Sequence, residues 1–469
     1  MDANKRPRFT FAEIFAGIGG FRLGLEPLGG RCVFASEIDP HACATYERNF
    51  GEAPSGDITE IPSEALPPCD IVTGGFPCQS FSRSGAQGGL ADARGTLFYD
   101  VVRVATACNA KALMLENVPN LLRVDNGHAL HIIAGALTAA GYHVRIQLLN
   151  AAAVAPQHRE RVFIVGFRSD LRAAADAFRW PTFADATAPP PLRAALEDVA
   201  AEALPRYRLS ERQWALVRAT REYQKEPQWR LAQLGGTART LRGSYRKSFS
   251  RFSEFVPLTA AGATESAAPA AAAAAADEAD GGEEVAEAEA EGEGEAEGEP
   301  EAVATPAAEA APPAPRFYTE RECARLQGFP DSFDVDFEVP RSLRGAGKGR
   351  GGGRLYLQLG NAVCPGVVQQ VGAEILRALE VGAGGGDPAA PPAAGCGCER
   401  FLSPSAINLL RGVTPPLAPP PPGAPLPAEY GRYGAEEPAE RLSRVVARPP
   451  DALFCMECVA TYRLEAEDR

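Results

Sequence analysis

The chain has 469 residues, 45% of them hydrophobic, enough to bury one large core or two and to build an enzyme. It contains no apolar run of about 18 residues and no leader at its start, so neither membrane insertion nor secretion is expected and the protein reads as intracellular. Eleven cysteines, odd in number and irregularly spaced, argue against a disulfide framework and leave most of them as reduced, small core residues.

The formal net charge of -13 would ordinarily exclude nucleic acid as a partner, but the charge is local. Thirteen acidic and no basic residues lie between Asp277 and Glu301, and the rest of the chain is formally neutral. Between Arg206 and Arg251, by contrast, twelve arginines or lysines outnumber the glutamates. That excess suits a polyanion, with a solvated basic face as the plainer reading.

From residue 8 to about 168, short β-rich runs alternate with helical patterns. The runs are FTFAEIF, CVFASE, CDIVTG, KALMLE, HVRIQLL and RVFIVGF; the segments between them include PHACATYERNF and GHALHIIAGALTAA. The alternation predicts an α/β sheet with helices on both faces. Residues 169–258 become irregular, with Arg, Trp and Tyr among turn residues, and predict a smaller, loop-rich unit. Residues 259–315 are Ala, Glu, Gly and Pro in low-complexity runs and read as a disordered linker, because they lack the apolar side chains needed to offset ordering entropy. A second ordered segment follows at 316–381, with helix-like stretches TERECARLQGF and NAVCPGVVQQVGAEILRALE, and then a Pro-rich tail over 382–469.

Chemistry-bearing residues recur just after the β runs. Phe15-Ala16-Gly17-Ile18-Gly19-Gly20-Phe21 leads from the first run into a helix, where glycines let a ligand approach the backbone or simply make a tight turn. It departs from the dinucleotide fingerprint, which would need glycine in place of Arg22. Glu37 and Ile38 end the second run; an acid there accepts a ribose hydroxyl or, at Asp39, caps a helix. Asp57 meets an adenine amino group or starts a turn, with Ile58 beside it.

GGFPCQSFSRSG, residues 74–85, places Cys78 in a loop rich in glycine and serine, with Pro77 fixing the chain just before it. A thiol with an ordinary pKa of about 8.5 needs electropositive or helix-terminal surroundings to act as a nucleophile. Glu116 follows the apolar run Ala112–Leu115; partly desolvated, it would have a raised pKa, while the plainer reading is a cap for the helix after Pro119. Gln157, Arg159 and Arg161 alternate into the last run and would share one side of an extended chain, as an anion site or as exposed strand-edge arginines. Open α/β sheets bind ligands beyond the carboxyl ends of their strands, so these groups would converge on one edge.

The ordered set resembles the cytosine-5 DNA methyltransferase family. FAGIGG, the glutamate after the second strand, GFPCQ-x-FS, ENV, Q-x-R-x-R, R-x-x-T-x-x-E-x-x-R-x-Q-G-F-P and GNAV all occur in the family's order, over about residues 9–168 and 316–381, with traces such as TARTLRGSYRK at 237–247. The resemblance implies a Rossmann-like, S-adenosylmethionine-dependent catalytic domain in two parts, 1–168 and 316–381, with a target-recognition domain at 169–258. It implies that Cys78 attacks C6 of a cytosine flipped out of double-stranded DNA. Glu116 would bind N3 and the exocyclic amine, and Arg159 and Arg161 would support the charge redistribution. Phe15, Gly17, Gly19, Glu37, Ile38, Asp57, Ile58, Pro77, Leu97, Asn361 and Val363 would form the S-adenosylmethionine shell. A helix beginning near Asn361 would return beside the first strand, and arginines of the basic region would contact phosphates and guanine edges.

A tRNA cytosine methyltransferase of the same architecture and a binding-only homologue are the competing readings; the basic region favours DNA over RNA, and the retained cysteine and glycines favour an enzyme. The chain is expected to be a monomer, nuclear if eukaryotic and cytoplasmic if bacterial. Restriction-modification, chromatin marking and a viral or organellar role all fit. The acidic segment is either an inert insertion or a docking tail for a basic partner. In the tail, Cys396, Cys398, Cys455 and Cys458 form a C-x-C plus C-x-x-C set that would bind zinc tetrahedrally or remain loose thiols.

Overall fold

The computed structural model describes residues 6–77, 97–183, 191–258, 314–336 and 352–384. Cys78 and the four tail cysteines lie outside the described residues, as does the acidic run.

All six β runs form strands of one sheet: β1 (Phe9–Ile14), β2 (Gly30–Ser36), β3 (Ile71–Gly74), β4 (Ala112–Asn117), β5 (Tyr142–Asn150) and β6 (Glu160–Arg168), in the order β2-β1-β3-β4-β6-β5. β1 to β4 are parallel, whereas β6 runs antiparallel to both β4 and β5. Around them run helices α1 (Gly20–Leu25), α2 (Pro40–Phe50), α3 (Leu97–Ala107), α4 (His128–Ala139) and α5 (Arg172–Ala177). Short helices α6 (Leu192–Ala195), α7 (Leu204–Tyr207), α8 (Glu211–Arg218), α9 (Arg221–Lys225) and α10 (Phe249–Phe252) follow, then α11 (Glu320–Leu326), α12 (Gly352–Asn361) and α13 (Pro365–Ala383).

The sheet is apolar on both faces, and alternation along each strand divides its side chains between two cores. Ala12, Ile14, Val72, Leu113, Leu115, Val162 and Ile164 face α3 and α4. Phe11, Ile71, Met114, Phe163, Val165 and Phe167 face α5 and α13, whose Val367, Val368, Val371 and Ile375 close that layer. The C-terminal helix thus returns to the first strand as expected, but it starts at Pro365, where proline suits the first helical turn, while Asn361 is the last residue of α12. Its approach to α1 requires glycine: a Cβ on Gly24 would lie 2.6 Å from Val368 and 2.7 Å from the Pro365 carbonyl.

A third core joins the loop-rich region to the segment after the acidic run. Trp214, Tyr245 and Phe255 pack with Phe317, Tyr318, Cys323, Leu355 and Tyr356. Hydrogen bonds run through it: the Tyr318 amide donates to the Tyr245 hydroxyl, and the Tyr356 hydroxyl donates to the Tyr318 carbonyl. The motif R-x-x-T-x-x-E serves this core. Arg316 pairs bidentately with Glu322, both contacts at 2.8 Å and both groups buried, and Thr319 and Glu322 form a capping box that starts α11.

Val256 and Arg316 exchange both backbone hydrogen bonds, at 2.8 and 3.0 Å, in an antiparallel bridge. The 259–313 excursion therefore leaves and re-enters the fold at one place. Replacing residues 262–312 with a short Gly/Ser turn is expected to keep the melting temperature within about 2 °C, since shortening a loop already closed by the fold only lowers its closure entropy. Thermal unfolding of the full chain and the deletion variant checks this, and a fall of more than about 5 °C would show that the excursion supports the fold.

Candidate active site

The parallel strands bring the ends of β1 to β4 to one edge, and the reversed β6 begins there. Its register sets Glu116 opposite Phe163 and Asn117 opposite Val162, so the start of β6 lies beside the end of β4. This places Q-x-R-x-R with the other motifs.

At β1 the chain turns through three left-handed residues, Phe15 (φ 52°), Gly17 (φ 56°) and Gly19 (φ 86°). Gly19 is the N-cap of α1, and a Cβ on it would lie 2.2 Å from the Phe50 ring, so the turn excludes any side chain. Gly17 instead faces open space, with no atom within 4 Å of a Cβ built there. Glu37 holds this turn from β2: one carboxylate oxygen accepts the Gly17 amide and the other the Asp39 amide, both at 2.8 Å. Ile38 beside it is 68% exposed, a large apolar surface at the rim.

Asp39 accepts the His41 amide and starts α2, and Asp57 accepts the Thr59 amide and starts a short turn, as the capping reading of each acid expected. Ile58 is buried, Leu97 opens α3, and Val363 packs its carbonyl against Gly20. The Asn361 side chain lies against Gly243, where a Cβ would sit 2.7 Å from its carbonyl oxygen. The open side of the glycine turn, the adjacent carboxylate and the exposed Ile38 fit an adenosyl ligand: backbone amides and an acid for its polar part and an apolar face for its base.

Glu116 is buried at the end of β4, and burial raises its pKa, opposed by the charges of Arg161 and Arg159. Arg161 forms an ion pair with it at 3.0 Å. Glu116 also touches the loop that leads to Cys78: a Cβ on Gly75 would lie 3.4 Å from its second oxygen. Asn117, next in ENV, donates its amide to the Phe76 carbonyl at 2.9 Å and accepts the Val118 amide. Two restraints thus flank the loop's entry, Asn117 on Phe76 and the ring of Pro77. The role of Asn117 was not read from the sequence, although a buried polar residue at the end of an apolar strand must find a partner for its amide.

Arg159 and Arg161 divide. Arg159 is buried, and its guanidinium donates to the carbonyls of Leu241, Gly360 and Ala362 at 3.0, 3.0 and 2.8 Å. It holds three parts of the chain together while its charge still bears on Glu116. Both arginines line one small cavity, but only Arg161 contacts the carboxylate. Gln157 acts like Arg159, donating to the Leu326 carbonyl and accepting the Leu241 amide.

One further acid lies under the site. Glu13, next to the last residue of β1, is wholly buried, accepts the Tyr46 hydroxyl at 3.2 Å, and is pushed by burial up to about 8. Among the described residues no group of three or more His, Cys, Asp or Glu is placed to hold a metal.

Two outcomes are expected. A carboxyl whose pKa is raised on folding contributes stability below its ordinary value of 4.5 that is lost as pH rises to about 8. Glu13→Gln should therefore gain melting temperature relative to the parent as pH rises from 5 to about 8.5, with the gap closing at the acid end. Equal differences at both ends would show that Glu13 is not held neutral. Arg159→Met should lose about 3–5 kcal/mol in denaturant unfolding, because buried carbonyls lose their donors; a cost below about 1 kcal/mol would refute the clamp.

The comparisons with known proteins agree with this geometry. Residues 9–377 match the family model for C-5 cytosine-specific DNA methylases. The chain is 44% identical over 162 residues to the Type II methyltransferase M.HhaI of Haemophilus parahaemolyticus, a match covering 34% of this chain and 50% of that protein. It is 31% identical over 379 residues to the Type II methyltransferase M.DsaV of Dactylococcopsis salina, covering 80% of this chain and 88% of that one. In fold it is similar to the crystal structure of a prophage-encoded DNA modification methyltransferase from E. coli, with a TM-score of 0.51, 18% identity, and coverage of 79% of this chain and 99% of the other. The α/β sheet with its reversed strand, the motifs gathered at one edge and a family match spanning most of the sequence have one meaning: the chain belongs to the C-5 cytosine-specific DNA methylase family.

Proposed function

We propose that the chain methylates C5 of cytosine in double-stranded DNA, with Cys78 as nucleophile and S-adenosylmethionine as donor. The observation that carries the reading is the buried Glu116–Arg161 pair set directly behind Gly75, three residues before Cys78. A carboxyl whose pKa burial raises, beside a guanidinium, suits a cytosine N3 and its amine, because it is able to hold a proton there as negative charge develops in the ring.

Cytosine C5 is a poor nucleophile while the ring is conjugated. The Cys78 thiolate adds to C6, forming an S–C6 bond and moving the ring's electron pair to C5; Glu116 holds the proton that neutralises N3. S-adenosylmethionine supplies an electrophilic methyl group on a sulfonium when bound. After C5 is methylated, loss of its proton to a base returns the electron pair to the ring and expels the Cys78 thiolate, restoring the enzyme. Attack at C6 needs the base outside the stack, so the target cytosine is flipped from the duplex. The turn from Phe15 to Gly19, with Glu37, Ile38, Asp57 and Ile58, would hold the donor, with Pro77, Leu97, Asn361 and Val363 completing the shell. Glu37, already bonded to the Gly17 amide, would also accept a ribose hydroxyl, and the exposed Ile38 would lie against the adenine.

A duplex containing 5-fluorocytosine, incubated with protein and S-adenosylmethionine, traps the adduct because fluorine at C5 cannot leave as a proton does. The expected product is a Cys78-linked DNA species in mass analysis. Cys78→Ser should form none while melting like the parent, and Glu116→Gln should lower kcat by about 10²–10⁴-fold. An adduct at another residue would overturn the assignment of the nucleophile, and an adduct with RNA alone would replace the substrate.

A further inference from the structure

The basic region contains many arginines, and the structure separates them by what their guanidinium groups already do. Arg230 is buried and donates to the carbonyls of Ser253 and Ser250; Arg206 pairs with Glu320; Arg246 donates to the Arg206 carbonyl and stacks on Phe317. Arg239 and Arg242 differ. Both are exposed, and among the described residues neither has an ion-pair partner. Each lies over an aromatic ring that is itself exposed: Arg239 over Trp229, with 5.1 Å from guanidinium carbon to ring centroid, and Arg242 over Phe252 at 4.3 Å. Trp229 is 51% and Phe252 46% exposed, so each stack is a half-covered apolar plate carrying a planar cation at the surface.

The backbone beneath them is fixed to the active site. The amide of Ala238 donates to the Pro156 carbonyl, that of His158 to the Ala238 carbonyl, and the Thr240 hydroxyl to the His158 carbonyl. Leu241 is held from both sides, its amide by Gln157 and its carbonyl by Arg159. Residues 238–241 are thereby laced along the segment that runs into β6 and Arg161. At Arg242 the backbone lies against Gly360, where a Cβ would come within 2.3 Å of its carbonyl carbon. A side chain leaving this ribbon starts from a position set relative to Glu116, and the ring beneath it restricts its rotamers.

We propose that Arg239 and Arg242 are the residues that read guanine edges in the major groove beside the target cytosine, and so set the sequence methylated. The inference rests on the DNA cytosine-5 methyltransferase reading above. Stacking occupies a face of the guanidinium and leaves the N–H groups at its edge; Arg239 spends one of them on the Trp229 carbonyl at 3.4 Å, and the remaining N–H groups of each arginine can make two parallel hydrogen bonds to guanine O6 and N7. Phosphate contacts require only charge, which the other exposed arginines and lysines of the region supply. A reader requires fixed origin and orientation, and these two arginines combine both.

The test uses the full chain, S-adenosylmethionine and a duplex library with randomised base pairs on both sides of a cytosine, sequenced for methylation. The parent enzyme should show a strong guanine preference at one or more positions; a parent that methylates nothing in the library would fail the activity reading itself, apart from this inference. Arg242→Ala and Arg239→Ala should each relax discrimination at one position by roughly tenfold or more, leaving the other positions and the salt slope of binding nearly unchanged. Arg242→Lys, which retains charge, should relax the same position. A uniform loss over all sequences with the salt slope reduced by about one would assign the side chains to phosphates and overturn the proposal, as would an unaltered sequence profile.

Discussion

The guanidinium of Arg159 is where the separate pieces of this chain meet. It projects from the entrance of β6 and donates to carbonyls at 241, 360 and 362, so the loop-rich region and the two C-terminal helices are tied to the catalytic sheet through one buried cation. A charge in such a place is costly to bury, and although its Nε has no hydrogen-bond partner among the described residues, its two terminal nitrogens are spent on carbonyls, which makes the arrangement discriminating: a displaced segment leaves carbonyls and a cation unpaired in a low dielectric. Gln157 adds the same constraint two residues earlier, joining the Leu326 carbonyl to the Leu241 amide. Arg161, two residues later, turns to Glu116. Three alternate residues thus connect the sheet, the loop-rich region and the buried acid Glu116 in the space of one short strand entrance.

The strands were legible because each is a short apolar run bounded by turn residues, and six such runs became six strands. Direction was not legible. RVFIVGF is buried on both faces, and an all-apolar run reads the same whichever way it is threaded, so nothing in it announced that β6 opposes β4. Yet that reversal is what brings Arg161 to Glu116. The helical stretches PHACATYERNF, GHALHIIAGALTAA and TERECARLQGF were also legible, although the last helix begins at Pro365 rather than near Asn361, where the chain makes a break between two helices, and the short helices from Leu192 to Phe252 were not read. Function at the glycine turn was harder, because capping and ligand binding use the same residue types. Asp39 and Asp57 cap, and Glu37 spends both oxygens on backbone amides while lying at the open side of the turn. A carboxylate accepts up to about four hydrogen bonds, so these duties coexist with a ligand.

The motif around Arg316 shows how a chemical signature can be structural. Arginine, threonine and glutamate at that spacing look like a polar site, but the pair is buried and the threonine caps a helix. The tyrosines that lean on this segment, Tyr245, Tyr318 and Tyr356, are far apart in sequence, and no local pattern links them; only their burial together with Glu254 reveals that each hydroxyl has a partner. The basic region is therefore less uniformly basic at its surface than its composition suggests, since Arg230 is consumed inside.

The seating of α13 against α1 and β1 has a bearing on synthesis. Phe9, Phe11, Phe21 and Leu25 emerge among the first residues, but Val367, Val368 and Val371, which cover them, come from the end of the described chain. At roughly 5–20 residues per second, a ribosome needs on the order of 20–70 s to deliver the cover after the strand. Throughout that interval the nascent N-terminal layer carries an uncovered aromatic face, which closes only when α13 has been made and docks against it.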